Sequence, residues 1–130
     1  MQKFKANKIL FADDNKLSQY SPLYYTAAVK QIMDEGLYDL LILGHTYEAR
    51  DWVPRLSARC EIPFISDCID YNFNEDSIEW IRGLYRSRIN CSIKSLDKQS
   101  IISLQSGCFK AENIALGETP TSTINIDLSN

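Results

Sequence analysis

The loop between Gly44 and Asp51 has the residue types and the spacing to bind an anionic ligand. An apolar run, residues 40–43, comes directly before Gly44, and a helical pattern follows Asp51. The carboxyl end of a buried strand is where open α/β sheets bind ligands, and a helix that starts there offers free backbone N–H groups to a phosphate. The candidate nucleotide- or anion-binding residues are therefore Gly44, Thr46, Arg50 and Asp51.

Asp51 also supports a second, structural interpretation of this loop. We expect Asp51 to cap the following helix, because Pro54 then lies in the first turn, whereas a proline inside a helix costs about 3 kcal/mol. A capping carboxylate would occupy the free N–H groups and repel a phosphate, although Arg50 could offset its charge. We therefore favour a degenerate pocket with a structural cap over a working nucleotide site.

The other residue types predict neither a catalytic nor a metal centre. His45 could act as a general base, but no nucleophile with a supporting acid is recognisable, so we expect a solvent-facing loop histidine. The cysteines do not form a C-x-x-C pair, and we interpret them as buried free thiols of a reducing cytoplasm. These cysteines are Cys60, Cys68, Cys91 and Cys108.

The composition is that of one globular domain of 130 residues with a formal net charge of -3. It predicts no basic surface for nucleic acid, and Arg82, Arg86 and Arg88 share one face of a strand pattern that we interpret as solvated. No apolar run approaches the roughly 20 residues of a membrane-spanning helix, and the first residues lack the apolar core of a signal peptide. We therefore expect a cytoplasmic protein without membrane insertion.

Two strand–helix units are predicted in the first half of the chain. Their strands and helices occupy residues 8–12, 21–36, 39–44 and 51–60, and a short strand follows at residues 63–66. A period of two then predicts a β-meander, with strands near residues 78–84, 89–94 and 100–104. After a linker at residues 117–120, Ile124, Ile126 and Leu128 form the apolar face of a tail strand that has no obvious partner within the chain.

Residues 44–59 resemble a motif in the N-terminal domain of the electron transfer flavoprotein alpha subunit. That family has a glycine and a threonine at the strand end, then Arg-Asp-x-x-Pro-Arg, an apolar residue, a small residue and Ala-Arg. The matching residues are Gly44, Thr46, Arg50, Asp51, Pro54, Arg55, Leu56, Ser57, Ala58 and Arg59. Four further segments resemble the family in the same order, at residues 9–13, 66–67, 82–85 and 103–109, although Gly83 and Gln105 replace a proline and an arginine.

The resemblance implies an α/β fold of the adenine-nucleotide alpha-hydrolase-like or Rossmann-like type, with a three-layer, mostly parallel sheet and added antiparallel meander strands. It divides the chain into a truncated alpha-subunit-like domain, residues 1–116, and a linker with a tail strand, residues 117–130. It implies a scaffold that supports a FAD-dependent electron carrier heterodimer and is not catalytic by itself. The family's FAD belongs to a C-terminal domain that this sequence does not include, so we expect no cofactor on the chain alone.

The partner that the resemblance implies is a beta-type subunit of the flavoprotein or a second copy of the chain. The family domain opens with a strand–helix–strand–helix segment that is missing here, so we expect an exposed sheet edge that seeks a partner. An unpaired tail strand would be a second such element, and together they predict that the protein is not a monomer. The alternative is a free-standing adenine-nucleotide-binding module that uses the loop from Gly44 to Asp51. A small hydrolase of the same fold is disfavoured, because no nucleophile is recognisable.

Overall fold

The computed structural model describes residues 5–36, 38–110 and 116–129. The helices are α1, Pro22–Glu35, and α2, Tyr47–Cys60, with a short 3-10 turn at Asn15–Leu17. The strands are β1, Ile9–Ala12; β2, Leu40–Gly44; β3, Phe64–Asn74; β4, Ser77–Leu84; β5, Ile89–Lys94; β6, Ser100–Leu104; and β7, Thr121–Ile124. Helix α1 and the strands β1, β2, β4, β5 and β6 closely match their predicted bounds. In the described ranges, neither helix is long and apolar enough to cross a membrane.

Five of the strands form one sheet in the order β2-β6-β3-β4-β5. Strands β2, β6 and β3 run parallel, whereas β3, β4 and β5 form an antiparallel meander. The other two strands, β1 and β7, pair in parallel as a separate ribbon. The predicted Rossmann-like α/β class is therefore confirmed, with mostly parallel strand pairs and the meander added at one side.

Strand β6 lies in the centre of the core. Ile101 of β6 is fully buried in a cluster with Leu56 of α2, which covers this face of the sheet. The next residue, Ile102, is also fully buried and packs on the opposite face with Cys68 and Trp80. Because side chains alternate along a strand, burial on both faces is typical of a central parallel strand.

Strand β3 extends well beyond the short strand predicted at residues 63–66. Its register shifts around Asp67, whose φ of 60° lies in the left-handed region. Beyond Cys68, β3 pairs with β4 alone among the described strands, and side chains such as Phe73 are exposed. The prediction was too short because an exposed hairpin strand lacks the apolar run of a buried one.

The tail has a partner within the chain, so the prediction of an unpaired tail strand is wrong. Strand β7 lies parallel to β1 along its whole length. Beyond β7, Ile126 and Leu128 are buried in a cluster with Ala28 of α1. The tail is therefore not the exposed edge that would join two copies of the chain. The division of the chain at residue 116 stays a prediction.

Candidate functional site

Helix α2 begins at Tyr47, and the prediction that Asp51 caps it is wrong. The capping residue is Thr46, whose Oγ1 accepts a 3.1 Å hydrogen bond from the backbone N–H of Ala49. The N–H of Arg50 already donates to the carbonyl of Thr46 at 3.1 Å, as in a regular helix. Asp51 lies in the second turn, so its carboxylate does not satisfy the N–H groups of the first turn.

Pro54 lies inside α2, although it was expected in the first turn. A proline there cannot donate to the carbonyl of Arg50, which costs about 3 kcal/mol. Its ring is on the exposed side of the helix, whereas Trp52 and Leu56 are buried. Because full burial of one such side chain contributes about 1.5–3 kcal/mol, the packing of α2 on the sheet outweighs the cost of the proline.

Asp51 joins two parts of the fold. Its Oδ2 accepts a 2.9 Å hydrogen bond from the hydroxyl of Tyr20, which precedes α1, and its Oδ1 lies 3.4 Å from Nη2 of Arg55. Partial desolvation and the hydrogen bond to Asp51 raise the pKa of Tyr20 to about 12. Arg55 therefore pairs with a carboxylate of its own helix, in an exposed contact between successive turns.

We expect the change Thr46→Ala to lower the free energy of unfolding by about 0.5–2 kcal/mol, because the N–H of Ala49 loses its acceptor. The matched control is Arg55→Ala, which removes an exposed ion pair worth about 0.5 kcal/mol or less. Urea denaturation of both variants measures the difference. Equal losses in the two variants would contradict the assignment of Thr46 as the cap.

A polar cluster at the carboxyl ends of β2 and β6, beside the register shift in β3, brings together His45, Ser103 and Asp67. Nδ1 of His45 lies 2.8 Å from Oγ of Ser103, which also accepts a 3.1 Å hydrogen bond from the backbone N–H of Asp67. The serine hydroxyl can donate to Nδ1 or accept from it, so the direction of this hydrogen bond depends on the histidine tautomer. Nε2 lies 3.8 Å from Oδ1 of Asp67.

This cluster holds a histidine in place and does not activate a nucleophile. Ser103 is fully buried, so its oxygen cannot reach a substrate. The side chain of His45 is only 18% exposed, so the prediction of a solvent-facing histidine is wrong. Sequence reasoning missed the cluster because its three members lie far apart along the chain. Two segments of the family resemblance, residues 66–67 and 103–109, contain Asp67 and Ser103 and could have pointed to the cluster.

A polar cleft opens beside the cluster, at the carboxyl end of the sheet. Thr46 and Arg50 line it together with Arg82 of β4, whose buried Nε has no hydrogen-bond partner within the described ranges. Gly44 ends β2, and a Cβ built there would meet only Thr46 at an ordinary 3.8 Å, so no close approach requires a glycine. The carboxylate of Asp51 contacts Tyr20 and Arg55 instead. The use of all four candidate residues in binding stays a prediction.

The cleft residues do not fit the FAD that the family implies. Pockets for organic ligands are lined mostly by apolar and aromatic side chains, whereas this cleft combines Tyr47, Pro54 and Phe64 with the polar side chains of His45, Asp67 and Arg82. The carboxylate of Asp67 would also repel a pyrophosphate. Over the described ranges, no three His, Cys, Asp or Glu side chains are grouped so that they could hold a metal ion. We therefore assign no cofactor chemistry to this cleft.

The parallel core, the meander and the polar cleft at the strand ends define the class of the protein as a Rossmann-like α/β domain. A family model described as "Electron transfer flavoprotein domain" matches residues 1–128. The chain belongs to this family, which confirms the resemblance seen in residues 44–59.

The relatives of the chain include named alpha subunits. The chain is similar to "Electron transfer flavoprotein subunit alpha" of Bacillus subtilis (strain 168), with 28% identity over 119 residues, 92% of the chain and 35% of that protein. It is similar to "Protein FixB" of Clostridium saccharobutylicum, with 23% identity over 128 residues, 96% of the chain and 38% of that protein. The chain thus spans little more than a third of the length of these relatives.

Proposed function

We propose that the chain is an alpha-type assembly domain of an electron transfer flavoprotein, which supports a FAD-dependent electron carrier and does not catalyse a reaction by itself. The observation that carries this proposal is the family match over residues 1–128. The motif residues in α2 support it, because Leu56 is fully buried in the core and Arg55 pairs with Asp51. Residues with such contacts stabilise a domain, as a scaffold requires.

In this proposal the FAD is held by another part of the carrier, and the partner of the chain is a beta-type subunit. The naming of the relatives as subunits supports a partner. A docking surface is available around Tyr47, which is 89% exposed, with the guanidinium of Arg50 5.7 Å from its ring. Exposed aromatic and arginine side chains are enriched at protein interfaces. The four cysteines are free thiols, although only Cys68 is buried and Cys108 is exposed, so the prediction that all four are buried is wrong. Free thiols support the cytoplasmic location that we propose.

The purified chain is expected to be colourless, because the described cleft does not fit a flavin. We also expect a beta-type subunit from the same genome to capture the chain. The measurements are an absorption spectrum of the chain alone and co-purification of the two proteins after co-expression. The variant Tyr47→Ala should weaken capture, and Tyr85→Ala, which alters another exposed tyrosine in the β4–β5 turn, is its control. Stoichiometric flavin bands on the chain alone, or no capture by any beta-type subunit, would refute the assembly role.

The alternative function, a free-standing adenine-nucleotide-binding module, has one observation in its favour. The buried Nε of Arg82 lacks a hydrogen-bond partner within the described ranges and belongs to the same cleft as Arg50. A phosphate there could accept charge-assisted hydrogen bonds from both guanidinium groups. The carboxylate of Asp67 in the same cleft opposes such a ligand, which is why we place this function second.

Calorimetric titration with AMP and with ATP separates the two functions. If the chain is an assembly domain, neither nucleotide gives a measurable heat of binding. If it is a nucleotide-binding module, the affinity for AMP or ATP falls about tenfold or more in Arg82→Gln. The matched control is Arg86→Gln, because Arg86 is exposed in the turn after β4. Binding that both variants weaken equally would point to a general charge effect and would count against the module.

A further inference from the structure

The polar cleft beside α2 contains two arginines whose charges are not paired within the described ranges. The guanidinium of Arg50 lies 5.7 Å from the ring of Tyr47, and no ion pair in the described part of the chain includes it. Arg82 of β4 has no ion pair there either, and its Nε is buried without a hydrogen-bond partner. Because a charged donor that is removed from water without an acceptor is costly, the cleft favours an anion.

The charge balance of the cleft indicates which kind of anion it can take. The same cleft holds one carboxylate, that of Asp67, whose Oδ1 lies 3.8 Å from Nε2 of His45. Because a neutral His45 adds no charge, the two guanidinium groups exceed this carboxylate by one positive charge, in a chain whose formal net charge is -3. One carboxylate of a ligand balances this excess. A phosphate monoester carries about 1.5–2 negative charges at pH 7, so Asp67 repels it more strongly.

The uncharged side chains of the cleft indicate what the carboxylate is attached to. Tyr47, Pro54 and Phe64 line the cleft together with the two arginines. They can contact one ring or a short hydrocarbon chain, while a guanidinium binds a carboxylate through parallel N–H···O hydrogen bonds. A few polar groups that fix the orientation of an apolar body are typical of sites for small organic ligands. A ligand that joins a carboxylate to an apolar group therefore matches both parts of the cleft, which an inorganic anion does not.

We propose that the cleft is a binding site for an organic carboxylate, which the guanidinium groups of Arg50 and Arg82 hold. The carboxylate comes from a small molecule or from an acidic side chain of a partner protein, and the chemistry of recognition is the same for both. Such a site is separate from the assembly function, because it binds its ligand on the chain alone. It also differs from a nucleotide site, because it selects a carboxylate against a phosphate.

The first test uses phenylacetate as the probe and phenylacetamide, which has the same shape without the charge, as the control ligand. NMR titration of the isotope-labelled chain should show binding of phenylacetate, with the amide shifts centred on residues of the cleft such as Thr46 and Ser106. The affinity for phenylacetamide should be lower by about tenfold or more, because only the carboxylate forms charge-assisted hydrogen bonds with the arginines.

The second test uses two variants with opposite expected effects. Arg82→Gln should weaken phenylacetate binding about tenfold or more, because it removes one of the two positive charges. Asp67→Asn should strengthen the binding, because it removes the competing carboxylate, and asparagine tolerates the φ of 60° at this position. Arg86→Gln in the exposed turn after β4 is the control and should bind like the unchanged chain. The gain in Asp67→Asn keeps the test decisive if Arg82→Gln fails to fold.

Capture by a beta-type subunit distinguishes the two sources of the carboxylate. If the source is an acidic side chain of that subunit, Arg82→Gln should weaken the capture, and an excess of phenylacetate should compete with it. If the source is a small molecule, Arg82→Gln and Arg86→Gln should be captured equally, with or without phenylacetate. Failure of the unchanged chain to be captured would refute the assembly role alone, since the titration needs no partner.

Three results would overturn the carboxylate site. Equal affinities for phenylacetate and phenylacetamide would mean that the contact is only apolar. Unchanged phenylacetate binding in folded Arg82→Gln, or amide shifts centred outside the cleft, would place the ligand elsewhere. An absence of binding up to tens of millimolar phenylacetate would mean that the charges of the two arginines do not hold a ligand.

Discussion

Replacing Leu56 by alanine is expected to lower the free energy of unfolding by about 2–5 kcal/mol, the usual cost of truncating a buried leucine. Leu56 is fully buried in the cluster between α2 and the sheet, together with Val53 and Ile101. Its removal would leave a cavity where α2 rests on β6. The loss would be a large fraction of the total stability of a domain of this size.

The matched control for this change is Arg59→Ala, because Arg59 is an exposed residue of the same helix. A surface change of this kind is usually worth less than about 0.5 kcal/mol. Chemical denaturation of both variants, with the slope compared as well as the midpoint, measures the difference. A loss under about 1 kcal/mol for Leu56→Ala would contradict the conclusion that the family motif stabilises the core.

The elements that the sequence predicts well are those with a strong local period. Helix α1 shows a helical apolar pattern between Pro22 and Gly36, and the observed helix ends at Glu35. Strands β4, β5 and β6 alternate or run apolar between clear turn residues, and their bounds follow the prediction. A local pattern is sufficient here because it reflects the burial of a single element, on one face or, in β6, on both faces.

The start of α2 could not be predicted in the same way. Asp51 and Pro54 together are a strong local signal for a helix N-terminus, but the helix begins with Thr46 as its cap. Burial of Trp52 and Leu56 decides the outcome, and that contribution depends on the sheet under α2, which a local pattern does not contain. Tertiary packing thus outweighs local preference at this helix end.

Only the part of the candidate site that lies next to β2 in the sequence could be predicted. Thr46 and Arg50 follow β2 directly, so their place at the carboxyl end of the sheet follows from the order of the elements. The partners of His45 are Ser103 of β6 and Asp67 of β3, and they meet only because β6 lies between β2 and β3. The strand order was not available from the sequence, so the cluster was not predicted.

The tail is another segment whose packing partner the local sequence pattern does not reveal, and its burial leads to a second prediction of a large loss of stability. The alternation of Ile124, Ile126 and Leu128 correctly indicates one apolar face, but it does not show which surface covers that face. In the structure Ile126 and Leu128 pack with Ala28 of α1. Gln31 of α1 holds the backbone between them: its Nε2 donates to the carbonyl of Asp127 at 2.7 Å, and its Oε1 accepts from the Asp127 N–H at 2.9 Å.

Leu128→Ala is therefore expected to cost about 2–5 kcal/mol of unfolding free energy, since Leu128 is 3% exposed and its truncation opens the contact with α1. Asn125→Ala is the matched control, because Asn125 is an exposed residue of the same segment and should cost about 0.5 kcal/mol or less. Thermal and urea denaturation give the two losses, and sedimentation of the folded variants shows whether the tail affects association. The tail covers α1 of its own chain, so Leu128→Ala should leave the association state of the folded chain unchanged at equal folded concentration. A small loss of stability combined with a weakened dimer would mean that the tail crosses to the second copy, as the sequence had suggested.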